Sequence, residues 1–127
     1  MGNNKILIVE DEAIIALEIE DRLLTMGYEV CGSASSGEKA ILLAEKNNPD
    51  IILMDIKLKG DLSGIETANI IFEKFKIPSI YLTAFMDDSA AAKNNGTAKR
   101  QYLTKPIVED ELRKAIENTL DNIRLNQ

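Results

Sequence analysis

Glu10, Asp11, Asp55, Thr83 and Lys105 carry the functional groups that phosphoryl chemistry needs, and each stands at the end of a short apolar run. Residues 6–9 lead into Glu10 and Asp11, residues 51–54 into Asp55, residues 79–82 into Thr83, and Gln101–Thr104 into Lys105 and Pro106. Brought together, three carboxylates, a hydroxyl and an ammonium could hold a divalent cation and an incoming phosphoryl group. A carboxylate is itself a competent nucleophile at phosphorus. The chain contains no histidine. That excludes histidine-based triads, histidine metal ligands and phosphohistidine within these residues, and leaves acid–base and nucleophilic work to carboxylates, hydroxyls and lysines.

The runs themselves say how such residues could meet. Stretches of this length, rich in Ile, Leu and Val, read as strands buried on both faces of a parallel sheet. Ligands of such sheets collect beyond the carboxyl ends of the strands. Between the runs lie helical patterns. Residues 12–26 place Ile15, Ile19, Leu23 and Met26 on one face, and Gly27 follows where a helix end favours positive φ. A second strand is expected over residues 28–32. Ser35 with Glu38 offers a capping box for a helix to about Lys46, which Asn47, Asn48 and Pro49 stop. Ser63 with Glu66 offers another, opening a helix to about Lys74, and Pro78 precedes the fourth strand. A short fourth helix is expected over residues 87–93, and strand five over residues 100–104. The last helix, Glu109–Leu125, has Leu112, Ala115, Ile116, Thr119, Leu120 and Ile123 at helical spacing and three acidic residues in its first turn, where the helix dipole favours them.

Short connections and right-handed crossovers make this an α/β protein, a doubly wound (βα)5 fold with a five-stranded parallel sheet in the flavodoxin-like order 2-1-3-4-5. That order puts a switch point between strands one and three, where Glu10, Asp11 and Asp55 would converge. A chain of 127 residues suits one domain, with its core at about 5–124. With 45% apolar and 28% charged residues it has the composition of an ordinary globular protein. No apolar run approaches the roughly 20 residues needed to span a bilayer, and the N-terminus has neither a secretory signal nor a myristoylation motif. The cytoplasm is the expected location, with no membrane insertion. A net charge of −6 opposes direct nucleic-acid binding. Cys31, the single cysteine, lies in an apolar stretch and reads as a small buried hydrophobe.

An acidic pair after strand one, an aspartate after strand three, Thr-Ala after strand four and Tyr-Leu-Thr-Lys-Pro across strand five together resemble the receiver domain of two-component response regulators. The resemblance runs from Lys5 to about Arg124, and the single-domain chemotaxis regulator is the nearest architectural analogue. It implies that Asp55 is the phosphoacceptor, taking its phosphoryl group from a phosphohistidine on a sensor histidine kinase or a histidine phosphotransfer protein. It implies a magnesium ion held by Asp11 and Asp55, by Glu10 through a water and by the Lys57 backbone carbonyl, as suits a hard cation that keeps several waters. Lys105 would pair with the phosphoryl oxygens, and Thr83 and Ala84 would meet the group after transfer. Tyr102 stands where the family has its switching aromatic. Its turning would remodel a face of helix four, strand five and helix five that carries the signal to a downstream protein. The resemblance also implies a cis peptide at Lys105–Pro106, X–Pro being the only common site for one.

The sequence departs from the family pattern in three places. The acidic pair is Glu-Asp rather than the commoner Asp-Asp; the loop 56–63 lacks the usual proline and is one residue longer; and residues 96–100 lack the usual Gly-Ala entry to strand five. Lys57 and Phe85 each lie two residues beyond a site residue and would flank the phosphoryl group, Phe85 as a hindrance to hydrolytic water. Each site residue also has an ordinary structural use: Glu10 and Asp11 as negative charge at a helix start, Asp55 as a turn residue, Thr83 as a strand-end hydroxyl, Lys105 as a surface charge, Tyr102 as a static aromatic. Two other functions share some of these features. A phosphohydrolase of the haloacid-dehalogenase type would want a second aspartate where Lys57 stands. A receiver fold that binds partners without phosphate would be expected to have lost Asp55, Lys105 or the metal carboxylates.

Overall fold

Residues 6–9 and 51–54 are each buried without exception, which is what strands in the middle of a two-faced sheet require. The computed structural model describes residues 4–58, 60–84 and 101–125. In chain order the elements are β1 (Lys5–Val9), α1 (Ala13–Thr25), β2 (Glu29–Ala34), α2 (Gly37–Asn47), β3 (Ile51–Asp55), α3 (Gly64–Phe75), β4 (Ser79–Thr83), β5 (Gln101–Thr104) and α4 (Glu109–Leu125). The strands form one sheet in the order β2-β1-β3-β4-β5, every pair parallel. This is the doubly wound α/β architecture expected from the sequence.

The period of two in each strand divides the core. Ile6 and Ile8 of β1 point with Leu53, Ile80 and Leu82 to the face where Ile19 and Leu23 of α1 and Leu112 and Ile116 of α4 pack. Leu7 and Val9 point the other way with Ile52, Met54 and Tyr81, against Ala40 and Ala44 of α2 and Ala68 and Ile71 of α3. Each fully buried Leu or Ile contributes about 1.5–3 kcal/mol, so the central strands are held as rigid rails whose ends can carry a site.

Local signals set the helix boundaries. The Ser63 hydroxyl accepts from the Glu66 amide at 3.1 Å and the Glu66 carboxylate accepts from the Ser63 amide at 3.0 Å, closing the expected capping box of α3. Gly27 follows α1 at φ +92°, and Asn48 ends α2 in the left-handed region. Two boundaries differ from the sequence reading. Strand β2 runs Glu29–Ala34 rather than 28–32: it begins one residue later, and a bulge at Cys31 adds one residue to it, Ile6 pairing with Val30 but Leu7 with Gly32. The longer strand delays the helix by one residue. The N-cap of α2 is therefore Ser36, whose hydroxyl accepts from the Lys39 amide, and the Ser35–Glu38 box does not form. The expected helix over 87–93, the segment 96–100, Lys59 and Phe85 lie outside the described residues. Among the described residues, no helix is long and apolar enough to cross a membrane.

Candidate acidic phosphoryl site

Glu10, Asp11, Asp55, Thr83 and Lys105 each sit at the last position of a strand or one or two residues beyond it, where the hydrogen-bond ladder fixes the strand end. The Glu10 amide donates to the Ala34 carbonyl at 3.0 Å, the Ile56 amide to the Leu82 carbonyl at 3.0 Å, and the Lys105 amide to the Thr83 carbonyl at 2.8 Å. The C-terminal ends of β1, β3, β4 and β5 are thereby aligned along one edge. Glu10, Asp11 and Asp55 converge there, with one carboxylate oxygen from each lying within 4.8 Å of the others.

Glu10 is 2% exposed and Asp55 5%, so both carboxylates need partners. The Lys105 ammonium supplies one, 2.8 Å from Glu10 Oε2 and 3.4 Å from Asp55 Oδ2. Two backbone amides supply others. The Lys57 amide donates to Asp55 Oδ1 at 3.2 Å and the Glu12 amide to Glu10 Oε1 at 3.2 Å. Of these two, the Lys57 donor alone has a sequence signal, an aspartate at a strand end whose carboxylate accepts from the amide two residues on in an Asx turn.

The Lys105 ammonium does not by itself balance three carboxylates. Burial, followed by the charge of Glu10, pushes the Asp55 carboxyl up to about 6, against the pull of Lys105 and the Lys57 amide. At Lys105 burial alone would lower the pKa. The hydrogen bond it donates to Glu10 and the negative charge of Asp55 and Glu10 outweigh it, so the ammonium is held above its ordinary range. The donor set is all oxygen, clustered and short of positive charge, which fits a hard divalent cation such as magnesium.

The other expected residues fall nearby in register. Thr83 ends β4 and is partly exposed, while Ala84 after it is exposed. Lys57 is exposed and meets Asp55 through its amide. Tyr102 pairs in register with Tyr81, and the two rings stack at 5.3 Å and 28°. Tyr102 is partly buried against the α2/α3 side of the core. The Lys105–Pro106 peptide is cis.

Known proteins place this geometry. The transcriptional regulatory protein PdtaR of Mycobacterium tuberculosis is 35% identical over 120 residues, 94% of this chain. The phyllosphere-induced regulator PhyR of Methylorubrum extorquens is 37% identical over 82 residues. The chain spans 58% of PdtaR's length and the match 31% of PhyR's. Among solved structures, the signal receiver domain of a modulated diguanylate cyclase from Desulfovibrio desulfuricans G20 superposes with a TM-score of 0.90 at 33% identity, over 98% of this chain and 99% of that one. The response regulator PhyR of Brucella abortus superposes at 0.83 and 32% identity, over 98% of this chain and 51% of its own. The family model of the response regulator receiver domain matches residues 6–117, from the second residue of β1 into α4. With strands, acidic edge and relatives in agreement, this chain belongs to the response regulator receiver family.

Proposed function

We propose that the chain is a phosphoacceptor: Asp55 takes a phosphoryl group from a phosphohistidine and the resulting acyl phosphate switches a protein-binding surface. The observation that carries this is the buried Asp55 at the end of β3, paired with Lys105 and flanked by Glu10 and Asp11. In the transfer an Asp55 oxygen attacks phosphorus, the P–N bond breaks with its electron pair left on the imidazole, and a P–O bond forms. The donor lies on another molecule, or on a domain outside these 127 residues, since the chain has no histidine. A sensor histidine kinase or a histidine phosphotransfer protein has the required chemistry.

Asp11 and Asp55 would hold magnesium directly, with Glu10 acting through a water and the Lys57 carbonyl as a further ligand. Magnesium bound there supplies positive charge against the transferring group, where most phosphoryl-transfer catalysis resides. The protein's own residues do the rest. The Lys57 amide fixes one Asp55 oxygen, leaving the other to react. Lys105, held beside both Glu10 and Asp55, stands ready to pair with the arriving oxygens. Thr83 would donate its hydroxyl to the bound group, with Ala84 beside it, and Tyr102 would respond to the movement of the strand-four loop. The phosphoryl group then acts as a ligand that shifts a two-state population.

Output passes through protein contacts on the face built from β5 and α4, together with the expected fourth helix. PhyR of Bartonella quintana, of similar fold at a TM-score of 0.82, is described as an anti-anti-sigma factor. A protein target is the corresponding expectation here, in the cytoplasm and without direct nucleic-acid contact. The domain is regulatory, with only self-catalysed transfer and slow autodephosphorylation.

The test is intact mass after incubation with acetyl phosphate and magnesium, beside an Asp55→Asn variant. A magnesium-dependent phosphoryl adduct absent from the variant is expected. No adduct, together with no binding of beryllofluoride, would leave a phosphate-independent interaction module as the better account.

A further inference from the structure

Gly64 is the first residue of α3, and a side chain there would collide with the backbone of the proposed phosphoacceptor. A Cβ built on Gly64 would run into the carbonyl oxygen of Asp55 and come within 2.8 Å of the Asp55 carbonyl carbon and of the Ile56 Cα. These are main-chain atoms of a central strand, which cannot swing aside as a flexible side chain could. The close approach is held from both sides. The Gly64 amide donates to the Ile56 carbonyl at 2.9 Å, and the Ile56 amide donates to Leu82 of β4 at 3.0 Å. The Asp55–Ile56 peptide is thus clamped between a neighbouring strand and the start of a helix, itself fixed by the Ser63–Glu66 box.

We infer that Gly64 is a positioning residue for phosphotransfer: by lacking a side chain it lets α3 seat against the Asp55–Ile56 peptide and fixes where the Asp55 carboxylate and the Lys57 amide stand. The inference rests on the reading of Asp55 as phosphoacceptor. The loop 56–63 between them contains the Lys57 amide that orients Asp55 Oδ1 at 3.2 Å. Both ends of that loop meet at the Gly64 contact. No other described glycine touches Asp55: a Cβ on Gly37 would meet Thr67 and Leu62 instead. Displacing the Asp55 peptide by the order of 1 Å is enough to cost about 100-fold in rate where reacting atoms must be aligned.

The experiment compares wild type, Gly64→Ala and Thr119→Ala in phosphorylation by acetyl phosphate at saturating magnesium, read by intact mass. Rates are scaled to the folded fraction from circular dichroism. Thr119→Ala removes a buried hydroxyl bond to the Ala115 carbonyl in α4 and reports what general destabilisation does. A fall of between 10- and 100-fold in the saturating rate of Gly64→Ala, with the half-saturating donor concentration within about threefold of wild type and Thr119→Ala near wild type, supports the inference. Equal saturating rates for Gly64→Ala and wild type overturn it, as does an equal loss in Thr119→Ala. Ser63→Ala/Glu66→Ala loosens the same seat by removing only the cap side chains, and serves if alanine at 64 does not fold. A several-fold fall in its saturating rate supports the inference and an unchanged rate overturns it. Wild type with neither an Asp55 adduct nor beryllofluoride binding would overturn the phosphoacceptor reading itself, a result distinct from all of these.

Discussion

Removing the charge of Asp55 should stabilise the metal-free protein, and the gain should depend on pH. Burial and the Glu10 carboxylate hold the Asp55 carboxyl at about 6 rather than its ordinary 3.8. At 1.36 kcal/mol for each tenfold change in proton affinity, that difference stands for a ceiling of about 3 kcal/mol against the charged form. Water reaching the site beside the partly exposed Asp11 screens it, so about 1–3 kcal/mol is expected. Between pH 3.8 and 6 the folded chain binds this proton more tightly than the unfolded chain, so wild-type stability falls as pH rises through that interval. Asn at 55 has no proton to lose. The Asp55→Asn variant should match wild type near pH 4 and exceed it fully by pH 8. For a chain this long that is an increase in Tm of several degrees. The assay is urea unfolding followed by circular dichroism across this pH range in the presence of a chelator. Adding magnesium should then stabilise wild type by mass action and leave the variant nearly unmoved. A variant no more stable than wild type at pH 8, or a difference independent of pH, would refute the charge imbalance on which the argument rests.

Three other outcomes follow from the same contacts. Lys105→Met leaves Glu10 and Asp55 without the ammonium that both touch; breaking such a buried pair costs about 3–5 kcal/mol, and chemical denaturation in chelator should show a loss that magnesium partly restores. Asn47→Ala removes the side-chain amide that donates to the Cys31 carbonyl at the β2 bulge at 2.9 Å, with an expected loss of about 1–2 kcal/mol in urea midpoint analysis. Ile116→Ala, at a fully buried position between α4 and the sheet, should cost about 2–5 kcal/mol by the same measurement.

Burial on two faces made the central strands legible. Residues 6–9 and 51–54 have no solvent-facing positions, so apolar character is continuous and the ends are sharp; Glu10 and Asp55 are legible for the same reason, because each is the first polar side chain after such a run. β2 is an edge strand whose residues are mostly half-exposed, with only Ala34 buried. Nothing in its composition marks its end, and a bulge is a property of its pairing with β1 rather than of its own sequence. The misplaced cap of α2 descends from that strand: Ser35 and Ser36 are equally good caps, and only the extra residue that β1 draws into the sheet selects Ser36. Glu10 teaches the same lesson at the site. Its position beside Asp11 was readable, and so was an acidic role. Its contact with an ammonium 95 residues away was not, because no local pattern encodes which of two carboxylates a lysine will approach more closely. The longer Glu side chain carries its oxygen to 2.8 Å from Lys105 while Asp55 stops at 3.4 Å. The departure from the family's Asp-Asp pair therefore bears first on how Lys105 is held. Glu10→Asp should shift the lysine towards Asp55, and a Glu10→Asp protein that kept the wild-type Lys105 ammonium environment by NMR would show that the longer side chain makes no difference.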